Sequence, residues 1–143
     1  MSLTATAHSV PGTLRQEVLI DGRYELTTDE PEHLGGEGTA PAPHELFPAA
    51  LASCVSTTLV MYARMKEWDL RDVTVDVDYD HRATPRRCVI DVRVSGDLDP
   101  AQLARLEKVA AACPLRQSIS TGFEFDESLA LQPEAELVAC GIG

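Results

Sequence analysis

Residues 14–28, LRQEVLIDGRYELTT, alternate apolar and polar side chains on both sides of Asp21-Gly22. An Asp-Gly pair between two strand-like runs predicts a β-hairpin. Residues 29–43, DEPEHLGGEGTAPAP, are rich in Pro and Gly and predict a loop without regular structure. The period then changes. Phe47, Leu51, Cys54, Val55, Thr58, Leu59 and Tyr62 recur at helical spacing, and Ala49, Ala50, Ala52, Ser53, Ser56 and Thr57 fill the remaining faces. This predicts a helix over 44–67, apolar or small nearly all round and therefore buried, with Pro48 capping a first turn or kinking it. Period two returns in DVTVDVDYD (72–80) and CVIDVRVSG (88–96), which predict two strands joined by HRATPRR. DLDPAQLARLEKVAAAC predicts a second helix over 99–113. Asp97 or Asp99 would cap it, Pro100 would open it, and Leu103, Leu106, Ala110 and Cys113 would form its apolar stripe. GFEFDESLAL (122–131) predicts a final edge strand. The order of elements is that of an α+β protein.

Length and charge narrow the setting. The 143 residues suit a single domain, 1–143, with one core. With 23 acidic against 12 basic residues, the formal net charge is -11. Such a surface repels phosphate backbones and anionic lipid, so neither nucleic acid nor a membrane is an expected partner. No run reaches the roughly 18 continuous apolar residues of a membrane span. The N-terminus lacks the basic flank and apolar core of a secretory signal. A cytoplasmic setting is expected, where thiols stay reduced. The cysteines at 54, 88, 113 and 140 form no C-x-x-C pair, disulfide framework or zinc pattern. Neither metal nor organic cofactor is expected.

Cys54 and Cys113 both fall on apolar helical stripes and so share one expected interior. Cys113 precedes Pro114, which ends its helix and lets LRQSI begin a new turn. The Cys113 sulfur would then meet free backbone N–H groups and the positive end of a helix dipole, with Arg116 adding to the effect; all favour thiolate. Each cysteine taken alone reads first as a buried packing residue.

At these residues the chain resembles a known family. GGEGTAPAPHELFPAALASC is similar to the GG…(S/N)P-x-E-L-(L/F)-x-A-A-L-x-(A/S)-C segment of the OsmC/Ohr proteins, and CPLRQSIS to their second signature, C-P-(V/Y)-x-x-(S/T)-(I/L). The resemblance runs from about Leu14 to Leu131 and is strongest toward a less characterised OsmC-like branch. It implies an intertwined homodimer with antiparallel strands wrapped around two central helices. It implies reduction of organic (alkyl or lipid) hydroperoxides in oxidative-stress defence, with Cys54 as the peroxidatic thiol, Cys113 as the resolving thiol and an external dithiol as reductant. An apolar substrate needs an apolar wall, for which Phe47, Leu51 and Leu115 are the candidates.

The family also implies an arginine and a glutamate beside the thiolate. Arg15 is the first choice and Arg23 the second. The glutamate position, ten before the first cysteine, holds His44, with Glu45 next to it. One residue along a helix turns a side chain by about 100°. Glu45 is thus expected either to reach the site or to serve its helix's first turn, and His44 either to carry the proton role or to sit on the surface. Two rival readings follow: a non-catalytic OsmC-like dimer that binds an apolar molecule or senses oxidants, and acyl transfer through Cys54 and His44, which needs the partner's histidine or a helix broken at Pro48. Cys88 is expected to be structural and Cys140 an exposed thiol. Trp68 is expected in the core or at a pocket mouth. His8, His33 and His81 show no metal spacing, and Asp76, Asp78 and Asp80 form a solvated strand face.

Overall fold

The structure, a computed structural model, describes residues 2–133. These divide into two compact units, one of residues up to Leu46 with those from Asp126 onward, the other of Phe47–Phe125.

In the first unit, β1 (Ala5–Ser9), β2 (Gln16–Ile20) and β3 (Tyr24–Thr28) form an antiparallel sheet in that order. The β2–β3 hairpin turns at Asp21 and Gly22, whose φ angles of 53° and 68° give the left-handed pair a tight type I′ turn requires. β1 was not expected, because Ala5–Ser9 are small or polar and carry no apolar alternation. The Gly/Pro loop has a short 3₁₀ turn at Glu32–Leu34 and an internal anchor. The Asp29 side chain, 1% exposed, accepts the backbone N–H groups of Glu30 (2.8 Å), Glu37 (3.3 Å) and Thr39 (3.0 Å), and the Thr39 hydroxyl (2.7 Å). Gly36 must be a glycine, since a Cβ there would collide with the Glu30 carbonyl.

The second unit is built on α1 (Pro43–Lys66), most of which belongs to it. β4 (Asp69–Asp80) and β5 (Arg87–Asp97) form an antiparallel hairpin with a bulge between Leu70 and Asp72. α2 (Pro100–Ala111) and α3 (Pro114–Thr121) follow. Asp99, not Asp97, caps α2, accepting the Gln102 N–H at 2.8 Å while the Gln102 side chain accepts the Asp99 N–H at 2.9 Å. This reciprocal pair satisfies two otherwise orphaned donors.

Leu51, Val55 and Leu59 of α1 join Leu106, Val109 and Cys113 in the core. The inner faces of β4 (Val73, Val75, Val77) and β5 (Cys88, Ile90, Val92) pack against them. Each fully buried leucine in this cluster contributes about 1.5–3 kcal/mol. The opposite strand face is wet, as expected: Arg93 bridges Asp76 at 2.7 Å and also pairs with Asp91. Trp68 meets Tyr62 edge-on at 5.5 Å and packs against the core.

Three expectations need correcting. An 18-residue window of α1 has a mean hydropathy of 1.6, so by length and composition one segment could cross a membrane. Its small uncharged residues hid that in the letter pattern, and four of its side chains, Leu51, Val55, Leu59 and Ala63, are buried within the unit. α1 is also not buried all round: Ala49, Ala50, Ser53, Thr57, Val60 and Met61 are exposed, because one chain covers only one side of it. Residues 123–133, including most of the expected final strand, have no regular structure. Phe123, Phe125, Leu129 and Leu131 are exposed there, and alternation makes a strand only when another strand pairs with it.

The Asp29 anchor has a pH signature. Thr39, through its N–H and then its hydroxyl, lowers the carboxyl pKa from 3.8 to about 2; burial opposes this, and the Glu30 and Glu37 N–H groups add to the lowering. A depressed folded-state pKa stabilises above the unfolded value and is lost as pH falls toward the folded one. Asp29→Asn is therefore expected to melt several degrees lower at neutral pH. In thermal melts followed by circular dichroism, that gap should hold down to about pH 4 and narrow toward about pH 2. A gap independent of pH across that window would contradict the assignment.

Candidate functional site

Proline dictates the local geometry around the second thiol. Cys113, with φ -50° and ψ 132°, leaves the α region because Pro114 follows it, and so becomes the N-cap of α3. The break turns its side chain into the core, where it is 0% exposed. The Ala111 carbonyl at the end of α2 accepts from the Gln117 side chain at 3.0 Å and from Arg116 Nη1 at 3.4 Å. The side chains of α3 thus hold the end of α2.

Cys54 lies on α1, one turn beyond Leu51, and is half-buried. Its sulfur is 2.9 Å from that of Cys113, whose thiol donates to it. Both are free thiols. Burial disfavours the charge on Cys54, but the Cys113 thiol, the Leu115 N–H at the start of α3 and the Thr58 hydroxyl outweigh it, so the Cys54 pKa falls below its ordinary 9.0. The Thr58 proton is shared. The hydroxyl donates to the Cys54 carbonyl at 2.8 Å, the i−4 contact usual for threonine in a helix, so it reaches the sulfur only as a secondary donor.

Cys113 moves the other way. Burial and its bond to Cys54 raise its pKa, and the Arg116 and Leu115 N–H groups do not offset them. The helix start was expected to favour a Cys113 thiolate; the thiolate it favours is Cys54. Two sulfurs this close share one charge, and the less buried one holds it.

The other expected residues fall in several places. Leu51 lines a cavity of about 490 Å3 with Ile90 and Ile119. Phe47 packs against Tyr79 with ring centroids 4.6 Å apart and the ring planes tilted by 52°. Leu115 packs against the core. Glu45 Oε1 accepts the Ala42 N–H at 2.9 Å, which caps α1. His44 is exposed in the first turn of that helix. α1 runs unbroken through Pro48, so helical rise alone separates His44 from Cys54 by about 15 Å. The broken helix that acyl transfer within one chain would need is not formed.

Arg15 is half-buried just before β2, and its Nε is buried without a hydrogen-bond partner among the described residues. Arg23 pairs with Asp21 at 3.3 Å and lies over the Tyr24 ring. Burial raises the Cys88 thiol. Cys140 lies outside the described residues. The sequence reading missed Thr58 and the Leu115 N–H; a threonine four residues after a candidate thiol on one helix was the available signal for the first.

Comparison with known proteins identifies the family. Residues 36–128 match the family model of the OsmC-like proteins, and the chain belongs to that family. A candidate osmotic stress induced and detoxification response protein from Psychrobacter arcticus is 29% identical, with a TM-score of 0.67 over 82% of this chain and 87% of that one. The organic hydroperoxide resistance protein OsmC of Legionella pneumophila is 28% identical, with a TM-score of 0.64 over 83% and 89%. An OsmC-like protein from Mycoplasma pneumoniae shares the fold at 16% identity, with a TM-score of 0.69 over 84% and 88%. No curated protein matches.

The sulfur–sulfur bond makes a direct prediction. Cys113→Ala removes the main donor to Cys54, so the Cys54 pKa should rise; Cys113→Ser, which keeps a donor, should restore part of the lowering. The pH dependence of iodoacetamide labelling at Cys54 reads both. An unchanged midpoint in Cys113→Ala would show that the bond does not tune the thiol.

Proposed function

We propose that this protein is a thiol-dependent peroxidase that reduces organic hydroperoxides. The observation that carries the reading is the unequal sulfur pair at 2.9 Å, with the accessible sulfur favoured as thiolate and the buried one kept as thiol. The Cys54 thiolate attacks the terminal peroxide oxygen. The O–O bond breaks, Cys54 becomes a sulfenic acid, and the alkoxide takes a proton and leaves as the alcohol. The Cys113 sulfur then attacks the Cys54 sulfur, the S–O bond breaks, and hydroxide leaves as water with the Cys113 proton. The reduced sulfurs already lie within about 1 Å of disulfide bond length, ~2.05 Å. An external dithiol returns two electrons by exchange.

Arg15 is proposed to steady the thiolate. The family's role for that arginine and the orphaned buried Nε support this. The name of the Legionella pneumophila relative supports the substrate class. The exposed small-residue face of α1 supports an intertwined homodimer, in which Phe47, Leu51 and Leu115 would wall the site. A cytoplasmic setting fits a chemistry that needs reduced thiols.

One observation favours a second reading, an OsmC-like dimer that binds an apolar molecule without turnover. The Glu45 carboxylate is engaged in capping α1, and His44 stands at the family's glutamate position. In that case the apolar cavity of about 310 Å3 between α2 and β5 would be the binding volume.

One experiment separates the two. Reduced protein given one equivalent of cumene hydroperoxide should lose two thiols as a Cys54–Cys113 disulfide. Cys54→Ser should abolish the loss, and Cys113→Ser should stop at a dimedone-reactive sulfenic acid. Thiols that survive excess peroxide for minutes would sink the peroxidase reading and leave the binding one.

A further inference from the structure

Arg15 stands just before β2, whose first residue, Gln16, pairs with Thr28 at the end of the β2–β3 ladder. One register step further out, Arg15 comes opposite Asp29. A carboxylate opposite an arginine ordinarily takes it as an ion-pair partner. Here it does not. The ion pairs among the described residues engage Arg23, Arg71 and Arg93, and the Arg15 Nε is buried without a hydrogen-bond partner. The Asp29 carboxyl, with its pKa lowered to about 2, is ionised at neutral pH. Its charge is met instead by the Glu30, Glu37 and Thr39 N–H groups and the Thr39 hydroxyl.

The same cradle fixes the backbone beside Arg15. The Asp29 N–H bonds the Pro41 carbonyl at 3.0 Å and the Gly38 N–H bonds the Glu30 carbonyl at 3.0 Å, so the loop closes around the carboxylate. Gly35 ends its 3₁₀ turn, and the Leu14 side chain lies 3.6 Å from where a Cβ on Gly35 would stand. Leu14 precedes Arg15 in the chain. The Arg15 N–H also bonds the Thr13 hydroxyl at 3.0 Å, and its carbonyl accepts the Val10 N–H at 3.1 Å. The backbone of Arg15 is thus held while its guanidinium stays without an anion among the described residues.

We propose that Asp29 is a positioning residue for Arg15. Its cradle holds the loop against Leu14 and keeps the opposite carboxylate from pairing with the guanidinium, which leaves the Arg15 charge available. The proposal rests on the assignment of Arg15 to the Cys54 thiolate made above.

The pH dependence of iodoacetamide labelling at Cys54, measured well below the melting temperature of every variant, tests this without peroxide. Arg15→Met is expected to raise the labelling midpoint and to slow labelling at pH 7 by ~fivefold or more, the scale of losing an opposite charge at contact distance. Asp29→Asn and Thr39→Val should each move the midpoint the same way by part of that amount. Thr39→Ser keeps the hydroxyl and should stay at the native midpoint. In the Arg15→Met chain, Asp29→Asn should add nothing. A loosened fold would instead expose Cys113 along with Cys54 and would act with or without Arg15. A midpoint that Arg15→Met or Asp29→Asn leaves unchanged, or that Asp29→Asn moves equally with and without Arg15, would overturn the proposal. Thiols that survive peroxide would end the peroxidase reading, while these midpoints would still decide whether Asp29 acts through Arg15.

Discussion

Two sulfurs 2.9 Å apart can share one negative charge but not hold two. The arrangement of the second unit serves that constraint. α1 presents one sulfur from its flank, the Pro114 break delivers the other at the start of α3, and the core cluster around Leu51, Val55, Leu106 and Val109 keeps their surroundings dry. A dry surrounding amplifies every nearby dipole, so a thiol proton, a backbone N–H and a hydroxyl decide which sulfur is charged. Among the described residues, no charged side chain bonds to either sulfur. The asymmetry comes from the difference between a half-buried and a fully buried sulfur.

That difference also orders the chemistry. A nucleophile must be accessible and ionised; a resolving thiol must be close and protected until a sulfenic acid forms. Cys54 fits the first description and Cys113 the second. Cys88 fits neither, since burial raises its pKa.

What was legible in the sequence was local. Asp21-Gly22 marks its turn because both residues tolerate positive φ. Asp99-Pro100 marks the start of α2 because the cap and its Gln102 partner lie three residues apart. The period of α1 marks its length. Features that depend on distant partners were hidden. The Asp29 cradle draws on N–H groups up to ten residues away across a glycine-rich loop. β1 is a strand because β2 pairs with it, not because its residues favour one. The last alternating stretch has no neighbour to pair with among the described residues. The two sulfurs are 59 residues apart in the chain; their apolar stripes hinted at one interior and the family resemblance paired them, but their order of acidity was visible only in the fold.

In the proposed reaction Cys54, not Cys113, takes the first oxygen from the peroxide. Rapid quenching of reduced protein into dimedone at the earliest times after mixing with cumene hydroperoxide, followed by peptide mass spectrometry, tests it directly. A dimedone adduct on Cys54 is expected to appear before the disulfide and to decay as the disulfide grows. An adduct that forms first on Cys113 or Cys88 would contradict it.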